Sequence, residues 1–341
     1  MWVFAIVALC LLITVHVDCR NNAAKQRTMV KKPKKVIVLI TGCSSGIGEA
    51  TALNLAADPI FKVWTTMRNM TKWNEEHTTS NMRVRQLDVT SEESVETVVT
   101  EILREDGRID VLVNNAGYGV AGSVEMVSVD AAKDMFDVNV WGAVRLVQAV
   151  LPNMRRRGSG QIINMVGTGG IRGIPSMDMY TGSKFALEGI MDSMRYTLAP
   201  FNISITNINA APVRSQFTSR LMAEEGHRLV PEDKEGYITS VTNRLLLGLK
   251  ARTQSEHGQS SESVAEHIRA LIDMRFSARR ITDVPFNIGS NMDSQEILQE
   301  VRVNPTGWGG LYHDILAGMP PLKPTKASSS GPSGHSVHEE L

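Results

Sequence analysis

Five consecutive apolar residues, Val36-Ile37-Val38-Leu39-Ile40, run directly into Thr41-Gly42-Cys43-Ser44-Ser45-Gly46-Ile47-Gly48, and no other stretch restricts the fold so tightly. An uninterrupted, largely β-branched run bounded by glycine predicts a strand buried on both faces, which requires a parallel sheet with helices on each side. The glycines predict what lies at the end of that strand. Gly42 permits a tight turn, Gly46 lets backbone amides approach a phosphate, and Gly48 lets the next helix pack closely on the strand. Amides and helix dipole together form an anion site, for which a pyrophosphate is the expected occupant. The spacing, Gly-x-x-x-Gly-x-Gly, differs from the Gly-x-Gly-x-x-Gly of the general dinucleotide fingerprint, and an ordinary strand-turn-helix corner shares part of it.

The 341 residues suffice for one large or two small domains, and Lys plus Arg balance Asp plus Glu at 36 each. Without a basic stripe, a nucleic-acid partner is not expected. Residues 36–318 read as one domain, because its motifs run in series. Of the three cysteines, Cys10 and Cys19 lie in or beside the N-terminal segment, so Cys43 has no disulfide partner in the folded body, and no metal-ligand cluster accompanies it. Residues 1–17 are apolar and as a helix reach roughly 25 Å, slightly short of a ~30 Å hydrocarbon core. No basic residue precedes this run, whereas Arg20, Lys25, Arg27, Lys31, Lys32, Lys34 and Lys35 follow it without an acid among them. The positive-inside tendency therefore makes residues 1–19 a signal anchor and 20–35 a basic linker, with the domain on the cytosolic face of the endoplasmic reticulum. The alternative is a cleaved signal peptide with a lumenal or secreted domain, where the sequons at Asn69 and Asn202 would matter. Residues 319–341, rich in Pro, Ser, Gly and Lys, predict a disordered tail.

Further strands are expected at about 61–68, 82–89, 109–114 and 161–166, separated by helical patterns. In dinucleotide folds an acid at the end of the second strand holds the ribose hydroxyls of NAD, but here Met67-Arg68 occupies that place. A guanidinium suits a 2′-phosphate, with Ser45 as a second ligand, so NADP(H) is expected; a solvated surface arginine is the alternative. Farther on, Tyr180 and Lys184 stand four apart, on one helix face. An ammonium beside a phenol favours the phenolate and lowers its pKa from about 10, which allows proton exchange near neutral pH.

Taken in order, Thr41 to Gly48, Asn114-Asn115-Ala116-Gly117 and Tyr180-Thr181-Gly182-Ser183-Lys184 resemble the motifs of the short-chain dehydrogenase/reductase family. The likeness covers about residues 35–315. It is carried further by Met67-Arg68-Asn69, Trp141 to Val147, Arg156 to Gly160 and Ser183 to Gly189, which point to the branch containing estradiol 17-beta-dehydrogenase and photoreceptor-type retinol dehydrogenase. The resemblance implies an α/β fold, a single doubly wound Rossmann domain with a parallel sheet of about seven strands and helices on both faces. It also implies an NADP(H)-dependent alcohol dehydrogenase or ketoreductase for a steroid or retinoid, with hydride transfer at the nicotinamide. Carried over residue by residue, it places Gly42, Ser44, Ser45, Gly46, Ile47 and Gly48 along the cofactor, then Arg68, Asp88, Asn115, Ala116 and Gly117, and finally Pro212 and Val213. Asp88 would steady the adenine, unless it only turns the chain. Tyr180 would exchange the proton, and Lys184 would also hold the nicotinamide ribose. Asn139 would open its helix locally and hold a water that relays protons to Lys184, unless it is a satisfied core amide. The long helices near 131–157 and 179–199 are those the family pairs in homodimers.

Two departures lie on the chemistry side. The family carries a serine thirteen residues before the tyrosine, and counting back from Tyr180 gives Gly167. Loss of such a hydroxyl donor costs on the order of 10²–10³ in rate. Thr168, one residue along, is a candidate substitute hydroxyl, and a water is another. Asn209-Ala210-Ala211-Pro212-Val213 stands where the family usually has Pro-Gly, and Ala211 would strain any positive φ there. A second reading therefore stays open, a cofactor-binding pseudoenzyme that has lost catalysis. Residues 213–260 place Phe217, Leu221, Met222, Leu229, Val230 and Tyr237 among charges such as Glu224-Glu225 and Glu232-Asp233-Lys234-Glu235. An amphipathic lid over an apolar pocket has this pattern, as does an ordinary surface helix; His227 is a lone histidine that would either meet a substrate oxygen or stay solvated.

Overall fold

In the computed structural model, which describes residues 35–217, 221, 237–255, 258–278 and 281–303, β1 (Val36–Ile40) is fully buried in the middle of the sheet. Around it stand β2 (Phe61–Met67), β3 (Met82–Gln86), β4 (Val111–Asn114), β5 (Gly160–Met165) and β6 (Ile203–Asn209). A short pair, β7 (Val213–Arg214) and β8 (Gln259–Ser260), lies apart, and β9 (Asn287–Gly289) closes the sheet. The seven-stranded order is β3-β2-β1-β4-β5-β6-β9 with every pairing parallel, the doubly wound sheet that the sequence implied.

The helices are α1 (Gly46–Ala56), α2 (Glu92–Asp106), α3 (Val129–Phe136), α4 (Ala143–Arg157), α5 (Asp178–Leu198), α6 (Tyr237–Gln254), α7 (Ser261–Ser277) and α8 (Met292–Val303). Strand alternation decides which face each covers. Ile37 and Leu39 enter a core with Val98, Ile102, Leu146, Val150 and Met191, from α2, α4 and α5. Val36, Val38 and Ile40 enter the opposite core with Leu55, Ile268 and Leu271, from α1 and α7. Local signals set the helix ends. At α2 the Ser91 hydroxyl accepts from the Ser94 N–H at 3.1 Å, acids fill the first turn, and Gly107 closes the helix at φ 74°.

The chain order reverses between β1 and β4, which opens a crevice at the carboxyl ends of those strands. Deeper in the sheet, Asn114, Asn164, Asn207 and Asn287 are register partners across β4, β5, β6 and β9. Asn114 Nδ2 donates to Asn164 Oδ1 at 2.9 Å, Asn164 Nδ2 to Asn207 Oδ1 at 2.9 Å, and Asn207 Nδ2 to Glu188 Oε2 of α5 at 3.0 Å. The buried amides thus bond in series and tie the sheet to α5, with the Asn114 Oδ1 at the start of the series left without a partner among the described residues.

The helix expected near 131–157 begins at Val129 and is broken by a π turn over Asp137–Gly142. Pairing of β7 with β8 joins the two ends of the 213–260 segment, and within it Phe217, Leu221, Leu246 and Leu249 cluster with Ile174. Met222, Glu224, Glu225, His227, Leu229, Val230 and the run Glu232 to Glu235 lie outside the described residues, as do the expected anchor, nearly all of the basic linker and the expected tail. Among the described residues no helix is long and apolar enough to cross a membrane.

Candidate active site

The glycine loop has the backbone its sequence demands. Gly42 sits at φ +73° and Gly46 at φ +64°, left-handed conformations that favour glycine. A Cβ on Gly48 would stand 2.4 Å from the Gly42 carbonyl oxygen and 2.5 Å from Asn115 Nδ2, so only glycine lets α1 start this close to the loop. Asn115 fastens the loop from β4. Its Nδ2 donates to the carbonyls of Thr41 at 2.9 Å and Gly42 at 3.0 Å, while Thr41 Oγ1 accepts from the N–H groups of Asn115 and Ala116, each at 3.0 Å.

A cavity of about 800 Å³ opens at the switch point. Gly42, Ser44, Ser45, Gly46 and Ile47 line it from the loop, and Arg68 and Asp88 line it just past β2 and β3. Asn115, Ala116 and Gly117, then Pro212 and Val213, and finally Tyr180 and Lys184 of α5 complete the sequence-predicted set. Gly48 and Asn139 stand behind this surface: a Cβ on Gly117 would lie 3.0 Å from Asn139 Oδ1 and 3.6 Å from Lys184 Nζ. Asp88 turns the chain as well as lining the cavity, since its Oδ1 accepts from the Thr90 N–H at 3.0 Å and the Thr90 hydroxyl at 2.7 Å. Lys72 also lines the cavity, and the sequence reading did not single it out. Its signal is the spacing Arg68-Asn69-Met70-Thr71-Lys72, which returns a second cation four residues after the first.

At the other side of the cavity, Lys184 Nζ donates to the Met165 carbonyl at 2.8 Å and lies 5.7 Å from the centre of the Tyr180 ring. Burial pushes the Lys184 ammonium down to about 8 and pushes the Tyr180 phenol above its ordinary value. The expected lowering of the phenol is therefore not produced by this chain alone. Sharing a helix face brings the two groups near, but the ammonium is turned toward Met165 and desolvation of the phenol dominates. Asn139 occupies the π turn. Its Nδ2 donates to the Tyr118 carbonyl at 2.9 Å and to Ser183 Oγ at 3.0 Å, and its Oδ1 accepts from the Tyr118 N–H at 3.0 Å. The amide is thus satisfied within the protein, next to Lys184 rather than bonded to it.

Gly167 adopts φ +81°, and a Cβ there would stand 3.9 Å from Tyr180 Oη and 3.7 Å from the Ala210 carbonyl oxygen. Position 167 is thus the point of the wall that faces the phenol. Thr168 follows it along the cavity wall and donates its N–H to Ala210 at 3.0 Å. The strain expected at Ala211 is absent: among described residues, only Ser176 and Asn202 are non-glycine positions with positive φ. The loop turns without a left-handed residue at 211, so alanine fits. An apolar patch completes this side, with the Phe217 ring 5.6 Å from that of Tyr180 at 50°. Gly119 makes room for it, since a Cβ there would lie 2.9 Å from Phe217 Cζ and 3.1 Å from Leu221 Cδ1.

Comparison with known proteins identifies the family. The profile of the short chain dehydrogenase family matches residues 36–226. Human 17-beta-hydroxysteroid dehydrogenase type 1 is 40% identical over 242 residues, which are 68% of this chain and 72% of that protein. Human retinol dehydrogenase 8 is 44% identical over 195 residues, covering 55% of this chain and 62% of that protein. A solved short-chain dehydrogenase from Streptomyces avermitilis superposes with a TM-score of 0.64 at 26% identity, over 80% of this chain and 97% of its own. With a family profile spanning more than half its length and these relatives around it, the chain belongs to the short chain dehydrogenase family.

Proposed function

We propose that the protein is an NADP(H)-dependent oxidoreductase that interconverts a carbonyl and an alcohol on an apolar substrate, either a 17-keto/17-beta-hydroxysteroid or retinal/retinol. What carries this reading is one continuous cavity lined by a glycine cradle, by Arg68 where an acid would suit NAD, and by the Tyr180–Lys184 pair. The residues of the cradle fit a pyrophosphate, because at Gly42, Gly46 and Gly48 a side chain would collide with the protein or strain the backbone, which leaves the loop amides open to a phosphate. The names of the steroid and retinol relatives support the substrate class, and Phe217, Leu221, Ile174 and Leu249 form an apolar cluster beside Tyr180 that suits it.

A bound nicotinamide dinucleotide would supply the hydride acceptor or donor. The residues of the chain would do the rest. Tyr180 would hold at Oη the proton that a substrate carbonyl oxygen takes up on reduction; burial raises the phenol's pKa and so opposes that donation unless a nearby cation offsets it. Lys184, fixed by Met165, presents a cation near the phenol that would favour the phenolate left after donation. Asn139 holds the Tyr118 segment against α5 and so fixes the wall in front of Lys184. Gly167 favours a second reading, a cofactor-binding protein without catalysis, since that wall offers no hydroxyl at the point facing Tyr180. Residues 1–19 are proposed to anchor the protein in a membrane that brings it to its apolar substrate.

The test is NADPH oxidation by the full chain with retinal and with 17-ketosteroids, beside Tyr180→Phe. Turnover that Tyr180→Phe reduces by at least about 10²-fold supports the enzyme. NADPH binding without turnover by the parent supports the second reading instead.

A further inference from the structure

We propose that Lys72 is a second phosphate ligand, acting with Arg68 to select a dinucleotide whose adenosine ribose carries a 2′-phosphate; this rests on the NADP(H) reading above. Both residues line the cavity just beyond β2. The turn that presents Lys72 is built to hold it there. Asn69 Oδ1 accepts from the Thr71 N–H at 3.0 Å and the Thr71 hydroxyl at 2.7 Å, and the Trp73 N–H donates to the Met70 carbonyl at 3.1 Å, closing a 3-10 turn over Met70–Lys72. Trp73 is buried immediately after it, with its indole N–H donating to Thr78 Oγ1 at 3.0 Å. From β3, Gln86 Nε2 donates to the Arg68 carbonyl at 3.0 Å. The main chain on either side of Lys72 is therefore pinned.

The pairing of charges on these strands gives the second argument. Where cations of β2 and β3 point toward α2 they meet acids: Lys62 lies 2.6 Å from Glu105 and 2.7 Å from Asp106, Arg83 lies 3.2 Å from Glu105, and Arg85 lies 2.8 Å from Glu101. The side chains of Arg68 and Lys72 have no hydrogen-bond or ion-pair partner among the described residues. The neighbouring acids are engaged elsewhere, Asp88 with Thr90 and Glu49 with His77 at 3.1 Å. Two cations whose side chains have no counter-ion among the described residues, lining one cavity that also offers an anion cradle, suit a phosphate monoester, which presents several charged acceptors at once.

Binding of adenosine 2′,5′-bisphosphate and of adenosine 5′-monophosphate to the full chain, measured by calorimetry, tests the idea, because the two probes differ only in the 2′-phosphate. Lys72→Ala should weaken the bisphosphate roughly tenfold and leave the monophosphate unchanged. Lys72→Arg should retain most of the affinity. Unaltered bisphosphate binding in Lys72→Ala, with loss in Arg68→Ala, would remove Lys72 from the site and leave the NADP(H) reading standing. Equal weakening of both probes would make Lys72 a general electrostatic contributor and overturn the proposal. A parent that binds both probes equally would overturn the NADP(H) reading itself.

Discussion

Replacing Gly167 by serine returns a hydroxyl to the wall facing Tyr180, and the structure sets both its benefit and its penalty. The new Cβ would meet Tyr180 Oη at 3.9 Å and the Ala210 carbonyl at 3.7 Å, ordinary contacts that displace nothing. At φ +81° and ψ 166°, a region almost reserved for glycine, an L-residue is disfavoured by roughly 1–3 kcal/mol, a fraction of the roughly 5–15 kcal/mol stability of a folded domain. A donor aimed at the developing oxyanion contributes about 10²–10³ in rate, equivalent to about 3–4 kcal/mol of barrier. Gly167→Ala separates the two effects, since it carries the strain without the hydroxyl. Both variants should therefore lose the same few degrees in thermal unfolding, while kcat/KM for retinal or a ketosteroid should be at least about 10² higher in Gly167→Ser than in Gly167→Ala. Equal kcat/KM in the two variants would refute the reasoning, since the hydroxyl would then have no oxyanion to meet. Thr168→Val completes the series: if Thr168 now supplies the hydroxyl, its loss lowers the parent's rate but not that of Gly167→Ser.

Three further outcomes follow from contacts already described. Gly48→Ala places a methyl 2.4 Å from the Gly42 carbonyl oxygen, so denaturant unfolding should show a loss of about 1–3 kcal/mol and NADPH fluorescence titration a weaker complex; unchanged affinity would mean the loop does not hold the phosphates. Lys184 titrates near 8 when folded and near 10.5 when unfolded, so the unfolded chain holds more protons in between and stability should rise with pH from about 8 upward. Measured between pH 8 and 9, Lys184→Met should lack that rise; an identical slope in parent and variant would show that the ammonium is not desolvated. Burial pushes the Cys43 thiol up to about 12, so peptide mass spectrometry should find Cys43 unalkylated by iodoacetamide at pH 8 in the folded chain and alkylated after denaturation.

How much of this was legible in the sequence depended on how local each cause is. The Val36–Ile40 strand and its glycine turn were legible because burial on both faces and positive φ are demands that each residue meets or fails by itself. The end of β2 was legible for Arg68 but not for Lys72, whose place depends on a 3-10 turn closed by Asn69. Tyr180 and Lys184 were found by their spacing together with their place after the glycine loop and the family resemblance. The direction of the phenol's pKa was not, because spacing fixes a shared helix face but not that the ammonium turns to Met165. Ala211 was misjudged for a similar reason: a family's Pro-Gly shows where a glycine sits, whereas φ is set by the path of this particular loop. The π turn at Asp137–Gly142 gave no periodicity signal of its own, and only the resemblance drew notice to Asn139.

The amide ladder through Asn114, Asn164 and Asn207 has an evolutionary consequence. Asn114 donates to Asn164, and Asn164 both accepts from Asn114 and donates to Asn207, so replacing one by an apolar residue leaves a neighbouring buried amide unanswered at about 1–3 kcal/mol. Replacing all three together removes the need along with the means, save at Glu188, which loses its Asn207 donor. These positions are therefore expected to drift as a linked set rather than singly. The ladder also penalises any sliding of β5 against β4 or β6, because one residue of slip breaks its bonds and exchanges the two apolar faces at once. A lineage can therefore rework the loops around the cavity and the wall at 167, while the alignment of the strands beneath them is inherited as one unit.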